Sequence, residues 1–136
     1  MSEVVKKFLY VNRKAPYGTI YAWESLEVVL IGAAFDQEVR VMFLDDGVYQ
    51  LTKGQDTSEV GMKNFSPTYR TLGDYEVKSI YVDKDSLESR GLTQDDLVQI
   101  AWEDWETEEE IENIVEVVDA ARVTELMDES DVVFSF

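Results

Sequence analysis

The sequence predicts a single α/β domain with a mainly parallel five-stranded sheet and helices on both faces, a doubly wound arrangement. Short β-prone runs alternate with segments of helical character, and the first fifty residues follow the order strand, turn, helix, strand. That order is typical of a parallel sheet with helical crossovers. The length of 136 residues fits one domain, residues 1–136, and the chain contains no internal repeat or low-complexity linker.

The first half of the chain contains two predicted strands and the helix that joins them. The strands cover residues 8–11 and 39–44, and the second ends at Asp45-Asp46-Gly47. The helix covers residues 20–35 and follows Thr19, whose hydroxyl is suited to capping the first turn. Residues 48–51 favour a short helical turn, and residues 53–56 a surface loop. We therefore expect the first two strands to be neighbours in the sheet.

The first helix is apolar on nearly every side. One stripe is predicted to lie on the sheet: Ala22, Leu26, Val29, Leu30 and Ala33. Four apolar residues lie off that stripe: Trp23, Val28, Ile31 and Phe35. A helix that is apolar all round is buried on more than one side. In so small a chain we expect the second cover to be another subunit, so these four residues are the predicted interface.

The second half of the chain continues the alternation. A helix is predicted over residues 62–72, a strand over 77–82, helical turns over 86–91 and a helix from Thr93 to about Ile100. Residues 111–118 fit either a strand or part of one long helix over 107–127. We favour the strand, because Asp119 then caps a helix over 120–129 that leads to a last strand, 132–134.

The absence of cysteine and histidine limits the chemistry of this chain. Neither residue occurs in the sequence. Thiolate catalysis, disulfides, imidazole acid–base catalysis and ordinary zinc or haem ligation are therefore excluded. Carboxylates, lysines, hydroxyls and backbone groups remain.

Acidic charge is concentrated in the C-terminal third. The formal net charge is −17, and residues 91–136 contain 15 of the 29 acidic residues with Arg122 as their single basic residue. Nucleic acid and anionic membranes are disfavoured as partners, because binding them relies on clustered Lys and Arg. A basic protein partner complements this charge. No apolar run approaches the ~20 residues of a membrane span, and the N-terminus lacks a signal-peptide layout, so we expect a cytoplasmic protein.

Aspartates after two strands suggest a possible metal site. Asp45, Asp46 and Asp83 should lie near the carboxyl edge of the sheet, where carboxylates bind magnesium in response-regulator receiver domains. Such a site also needs acids at the end of the first strand and a lysine late in the chain. This sequence has Asn12-Arg13-Lys14, and no acid, at the end of the first predicted strand. No lysine follows Lys84. These missing partners favour a solvated turn over a metal site.

Two further segments have both a functional and a structural interpretation. Residues 15–19 precede the first helix and would cradle a phosphate, as in a nucleotide-binding or flavodoxin-like small-molecule domain. They contain one glycine and one hydroxyl, so a turn that sets the helix angle is favoured. Trp102 and Trp105, three residues apart among acids, fit either a flap whose rings pack on the domain or a docking element.

The order of several motifs resembles the DsrE/DsrF/DsrH (TusBCD) sulfur-relay family, with the closest likeness to its DsrF/TusC type of subunit. The motifs are Ala15-Pro16-Tyr17-Gly18-Thr19, Asp46-Gly47-Val48-Tyr49-Gln50-Leu51, Gly54-Gln55, Leu72-Gly73-Asp74-Tyr75, Ser86-Leu87, Arg90-Gly91-Leu92 and Asp131-Val132-Val133-Phe134-Ser135-Phe136. The likeness extends from about Phe8 to Phe136 and lapses around residues 94–110, an acidic insertion relative to TusC-like sequences.

The resemblance implies a flavodoxin-like, three-layer α/β fold and a hetero-hexamer with DsrE-like and DsrH-like subunits. Such a DsrEFH complex is a sulfurtransferase that relays persulfide sulfur to a DsrC-like carrier in dissimilatory sulfur oxidation. The TusC alternative serves 2-thiouridine formation in tRNA. We favour the sulfur-oxidation branch because of the acidic insertion.

The family's sulfur-carrying cysteine aligns with Tyr81, in a strand-to-loop segment. A phenol cannot hold a persulfide. We therefore expect a non-catalytic structural subunit without cofactor, metal or catalytic residue, whose partner subunits carry the activity. A magnesium-binding or flavodoxin-like small-molecule domain and a free-standing binding module are the alternatives from other classes.

Overall fold

A computed structural model describes residues 6–14, 28–29, 38–52, 77, 79–103 and 108–136. The strands, in chain order, are β1 (Lys7–Asn12), β2 (Glu38–Phe43), β3 (Ser79–Asp83), β4 (Trp102–Glu103), β5 (Glu110–Ile111), β6 (Val115–Val118) and β7 (Val132–Ser135). Five of them form an all-parallel sheet in the order β6-β3-β2-β1-β7, and β4 pairs antiparallel with β5. The predicted five-stranded parallel sheet is confirmed.

The strand order explains why the sheet has helices on both faces. The chain passes from β1 to β2, β3 and β6 in one direction, and helix α2 (Ala120–Glu129) returns it to β7 on the other side of β1. Parallel crossovers are right-handed, so a return in the opposite direction places its helix on the opposite face. Among the strands of the described residues, β6 and β7 are consequently the two lateral edges.

The larger apolar core lies on one face of the sheet. Tyr10, Phe43 and Ile80 are buried there, with Val28 and Val29, which are helical, packed among them. Two further elements cover this face: the 3₁₀ helix Asp45–Leu51 through Val48 and Leu51, and helix α1 (Lys84–Ser89) through Leu87. The segment after α1 adds a final group of buried residues: Leu97, Val98, Ile100, Trp102 and Ile114.

The opposite face carries a smaller core beneath α2. Its members are Leu9, Val11, Met42, Tyr81, Val118 and Leu126, with Leu44 and Val123 packed at the margin. Strand side chains alternate between faces, which is why Tyr10 and Val41 belong to the larger core while Leu9 and Met42 belong to this one.

The predicted order of strand, helix and strand near the C-terminus is confirmed, but the predicted strand over 111–118 is shorter, because Ile111 belongs to β5 of the smaller sheet. Residues 115–118 form strand β6, which excludes the long helix over 107–127. Asp119 caps α2, its carboxylate accepting a hydrogen bond from the Arg122 amide at 2.9 Å, and β7 follows. No helix in the described part of the chain is long and apolar enough to cross a membrane.

The helix predicted from Thr93 to about Ile100 is wrong. Thr93 does form a capping box with Asp96, but the helix is a single 3₁₀ turn, Gln94–Asp96. Backbone groups that would hydrogen-bond within a helix instead bond to segments that are distant in the sequence. The Val98 amide donates to the Leu51 carbonyl at 2.7 Å, and the Ile100 carbonyl accepts from the Ile114 amide at 2.8 Å. Tertiary pairing therefore overrides the local helix signal.

Other boundaries shift by a few residues. The third strand is Ser79–Asp83, and α1 begins at Lys84, two residues before the predicted helical turns. Gly91, at φ +69°, follows α1, in a conformation that glycine adopts without strain. The loop over 53–56, the helix over 62–72 and all but Val28 and Val29 of the helix over 20–35 lie outside the described residues.

Candidate functional site

The carboxyl border of the sheet, formed by the chain just after β1, β2 and β7, is where parallel α/β folds usually bind ligands. A cavity of about 540 Å³ opens here. Its lining combines cationic, anionic and apolar groups: Arg13, Lys14, Asp45, Asp46, Ser135 and Phe136. Asp45 and Asp46 thus lie at this cavity, whereas Asp83 is not among the residues that line it.

The turn after β2 packs tightly against the end of β1. Gly47 lies so close to this strand that a Cβ atom built on it would overlap the Asn12 carbonyl oxygen. That oxygen also accepts a hydrogen bond from the Leu44 amide at 3.0 Å. Asp45 takes a left-handed conformation, φ 51°, as the chain enters the turn. Backbone contact therefore closes the space between the ends of β1 and β2.

Each of the two adjacent aspartates binds an arginine. Asp45 Oδ2 is 3.2 Å from Arg13 Nε, and Asp46 Oδ1 is 3.0 Å from Arg90 Nη2. Arg90 also donates from Nε to the same oxygen at 3.1 Å. A magnesium site instead requires carboxylates that converge with their charge unneutralised. Among the described residues, no three acidic side chains come together in a way that would hold a metal ion.

Asp83, the third candidate ligand, acts as a helix cap. Its Oδ2 accepts from the Ser86 amide at 3.2 Å and from the Ser86 hydroxyl at 2.6 Å. The Ser86 hydroxyl in turn accepts from the Asp45 amide at 2.9 Å. These bonds connect the ends of β2 and β3, so Asp83 stabilises the border.

Two buried polar residues at this border carried no functional signal in the sequence. Gln50, on the 3₁₀ helix, donates from Nε2 to the Lys14 carbonyl at 2.9 Å and thereby holds the loop after β1. Asn12 is buried at the end of β1, and its Oδ1 has no hydrogen-bond partner in the described part of the chain.

Tyr81, which we predict from the family resemblance to align with the sulfur-carrying cysteine, lies inside β3 and not in a loop. It is 9% exposed and packs among the smaller core residues beneath α2. The Arg122 guanidinium lies over its ring, 6.0 Å from the centroid. The position therefore combines a chemically unsuitable side chain with burial under a helix.

A buried arginine beside this core holds α2 to the sheet. The Arg40 side chain is 9% exposed and its Nη1 lies 3.0 Å from Glu129 Oε2, while its Nη2 lies 3.2 Å from Glu38 Oε1. Glu129 also pairs with Arg122 at 3.2 Å. The hydrogen bond from Arg40 is the main cause that lowers the pKa of Glu129. The alternation of β2 predicted that Arg40 shares a face with Met42, but not that this face is covered.

The predicted interface residues are only partly described. Val28 is half-buried and packs against the larger core, and Val29 of the sheet-facing stripe is buried. Trp23, Ile31 and Phe35 lie outside the described residues, so the interface on this helix stays a prediction. Trp102 is buried in the larger core, as the structural interpretation of that segment expects, and Trp105 also lies outside the described residues.

Comparison with known proteins gives the family. The family model described as DsrE/DsrF-like matches residues 6–136. The chain belongs to the DsrE/DsrF-like family. It is 82% identical, over 136 residues and the full length of both chains, to the intracellular sulfur oxidation protein DsrF of Allochromatium vinosum. It is 32% identical over 132 residues to a TusC homolog of Vibrio vulnificus, covering 97% of this chain and 100% of the relative.

A solved structure supports the fold of this DsrE/DsrF-like chain. The crystal structure of the YchN protein of Escherichia coli matches with a TM-score of 0.73, covering 98% of this chain and 100% of that chain. At 18% identity the likeness concerns the fold alone. The family resemblance inferred from motif order is confirmed, with DsrF and TusC proteins as its relatives.

Proposed function

We propose that this chain is a non-catalytic structural subunit of a DsrEFH-type hetero-hexameric sulfurtransferase complex. The complex relays persulfide sulfur to a DsrC-like carrier in dissimilatory sulfur oxidation. DsrE-like and DsrH-like subunits carry the reactive cysteines, and this chain completes the assembly that positions them. We place the complex in the cytoplasm, in keeping with the word intracellular in the name of the DsrF relative.

The observation that carries the proposal is the residue at the sulfur position. A sulfur-relay subunit needs an accessible thiolate, because the thiolate is the nucleophile that accepts sulfur. The sequence has no cysteine, and Tyr81, which the family resemblance assigns to the sulfur position, is buried beneath α2. Because the chain contains no thiol at any position, another chain carries the sulfur.

The carboxyl border supports the same proposal. Asp45, Asp46 and Asp83 each have a structural partner, namely Arg13, Arg90 and Ser86. Groups held in this way stabilise loops and are less available to bind phosphate or magnesium. A small-molecule function therefore receives less support than a structural one.

The relatives favour sulfur oxidation over tRNA thiolation. The DsrF relative is 82% identical and the TusC homolog 32% identical, each matched over nearly the whole chain. Full-length similarity to TusC keeps the tRNA branch as the second candidate. The two are separated by offering the assembled complex a DsrC-like and a TusE-like carrier: preferential sulfur transfer to the TusE-like carrier would favour the second.

The structural role is tested by omission and add-back. Cysteine-bearing partner subunits are purified with and without this chain, loaded with persulfide, and the rate of transfer to the DsrC-like carrier is measured. We expect transfer to fall when the chain is omitted and to recover when either the wild type or Tyr81→Phe is added back. Unchanged transfer without the chain would refute the structural role, and failure of Tyr81→Phe to restore transfer would show that the phenol takes part.

A further inference from the structure

The two lateral edges of the sheet differ in how their outward backbone groups are hydrogen-bonded. On β6, side chains satisfy the backbone groups of Val115: its amide donates to Asn113 Oδ1 at 3.1 Å, and its carbonyl accepts from Gln94 Nε2 at 3.3 Å. The exposed Glu116 adds a charge to this edge. Capping side chains and charges are the devices by which proteins prevent a sheet edge from pairing with another strand.

Strand β7 has no such protection within the described part of the chain. It pairs only with β1 there. The backbone groups of Phe136 point towards β1, since its carbonyl accepts from the Arg13 amide and its amide donates to the Val11 carbonyl, both at 2.9 Å. In a parallel strand these directions alternate, so the amides and carbonyls of Val133 and Ser135 point outward.

The side chains of β7 add an apolar surface to this open edge. Val133 is 45% exposed and Phe134 is 37% exposed, on opposite faces of the strand. Phe134 stacks on Tyr10 with centroids 5.1 Å apart and planes at 12°, and it meets Phe8 edge-on at 5.9 Å. The ring is held in place while part of its surface stays in water, as in an interface hot spot.

We infer that a neighbouring subunit adds a strand to the outer edge of β7. This inference rests on the proposed function, because it assigns the place where the DsrE-like or DsrH-like partner is held. Strand addition would satisfy the outward groups of Val133 and Ser135, and flanking side chains would bury the Val133 and Phe134 surfaces.

The charge around β7 indicates a different chain as the partner and not a second copy. Asp128 and Asp131 are exposed just before the strand, and Arg122, the single basic residue of residues 91–136, is already paired with Glu125 and Glu129. Two copies would bring net charges of −17 together. Because Arg13 and Lys14 lie beside Ser135 and Phe136 at the other end of β7, the complementary partner carries an apolar edge strand with Lys or Arg near the Asp128 and Asp131 end.

Two substitutions at one residue test the strand contact. Val133→Lys places a charge on the open edge, and Val133→Pro removes an amide that faces outward, a position where an edge strand tolerates proline. Ile111→Lys is the matched control, because Ile111 is 44% exposed on β5 of the other sheet. Each full-length variant is co-expressed with DsrE-like and DsrH-like subunits, and co-purification is quantified beside a thermal melt.

The wild type and Ile111→Lys should co-purify with the partners, whereas both Val133 variants should lose about tenfold or more of the association. Failure of the wild type itself to associate would refute the proposed function. Association of Val133→Lys at the wild-type level, or an equal loss in Ile111→Lys, would overturn the edge contact alone. A homodimer of the isolated chain that Val133→Lys dissociates would overturn the choice of a different chain as partner. If Val133→Pro does not fold, Val133→Lys alone decides.

Discussion

The carboxyl border and the lateral β7 border of the same sheet differ in how far the chain satisfies its own groups. At the carboxyl border, Gly47 packs on Asn12, and the aspartates are held by Arg13, Arg90 and Ser86. At the β7 border, two apolar side chains are partly exposed, and the outward backbone groups pair with no other strand in the described part of the chain. Except for Asn12 Oδ1, polar groups at the usual ligand site are thus used to hold loops, whereas among the described residues the outward backbone groups of β7 have no partner strand. The comparison indicates a protein that functions by binding another protein chain and not by binding a small molecule.

The largest effect on stability is expected at the carboxyl border. Gly47→Ala forces a Cβ into the Asn12 carbonyl, so the turn after β2 must move, and we expect a loss of about 3 kcal/mol in the free energy of unfolding. Gly91→Ala is the control, since it has open space around it and only its φ of +69° is strained, which costs about 1 kcal/mol. Urea denaturation measures both. Equal losses would mean that the close approach at Gly47 does not constrain this border.

A smaller loss is expected from the cap that connects β3 to the turn. Asp83→Ala removes the acceptor for the Ser86 amide and hydroxyl, and we expect about 1–2 kcal/mol less stability. Asp85→Ala, in the first turn of α1 but exposed, should change stability by less than about 0.5 kcal/mol. A change as small in Asp83→Ala as in Asp85→Ala would show that the carboxylate is not needed for the border.

Stability at acidic pH should depend on the helix that leads into β7. The hydrogen bond from Arg40 lowers the pKa of Glu129, so the ionised form is favoured in the folded state. The resulting stabilisation is present above the unfolded pKa of about 4.3 and is lost as the pH falls through the lower folded pKa. In thermal melts, Glu129→Gln should be less stable than the wild type at neutral pH, and the difference should shrink below pH 4. A difference that is independent of pH would contradict the Arg40–Glu129 contact.

The smallest effect on stability is expected at the β7 border, where the effect on assembly is largest. Val133→Lys changes an exposed side chain that faces away from the larger core, so the free energy of unfolding of the isolated chain should change by less than about 0.5 kcal/mol. Urea denaturation of the free chain checks this. A loss comparable with that of Gly47→Ala would mean that Val133 supports the monomer.

Local patterns predicted much of the fold. Alternating apolar residues located the strands of the sheet, and Asp119 placed the start of α2, because these features depend on neighbours in the sequence. The helix after Thr93 was mispredicted because its backbone groups pair with Leu51 and Ile114, which are distant in sequence. The partners of the aspartates could not be predicted for the same reason, because they are distant in the sequence. Arg13 and Arg90 lie 32 and 44 residues from the carboxylates that they bind. Burial of Arg40 and the open edge of β7 follow from strand order, which no local pattern contains.

Amide hydrogen exchange, measured on the isolated chain and on the chain in its complex with DsrE-like and DsrH-like subunits, tests the comparison most directly. One experiment gives the amide exchange rates at both borders. We predict that the amides of Val133 and Ser135 exchange quickly in the free chain and slowly in the complex, while those of Arg13, Lys14 and Asp46 keep their rates. Protection confined to the carboxyl border, with β7 unchanged, would contradict the account.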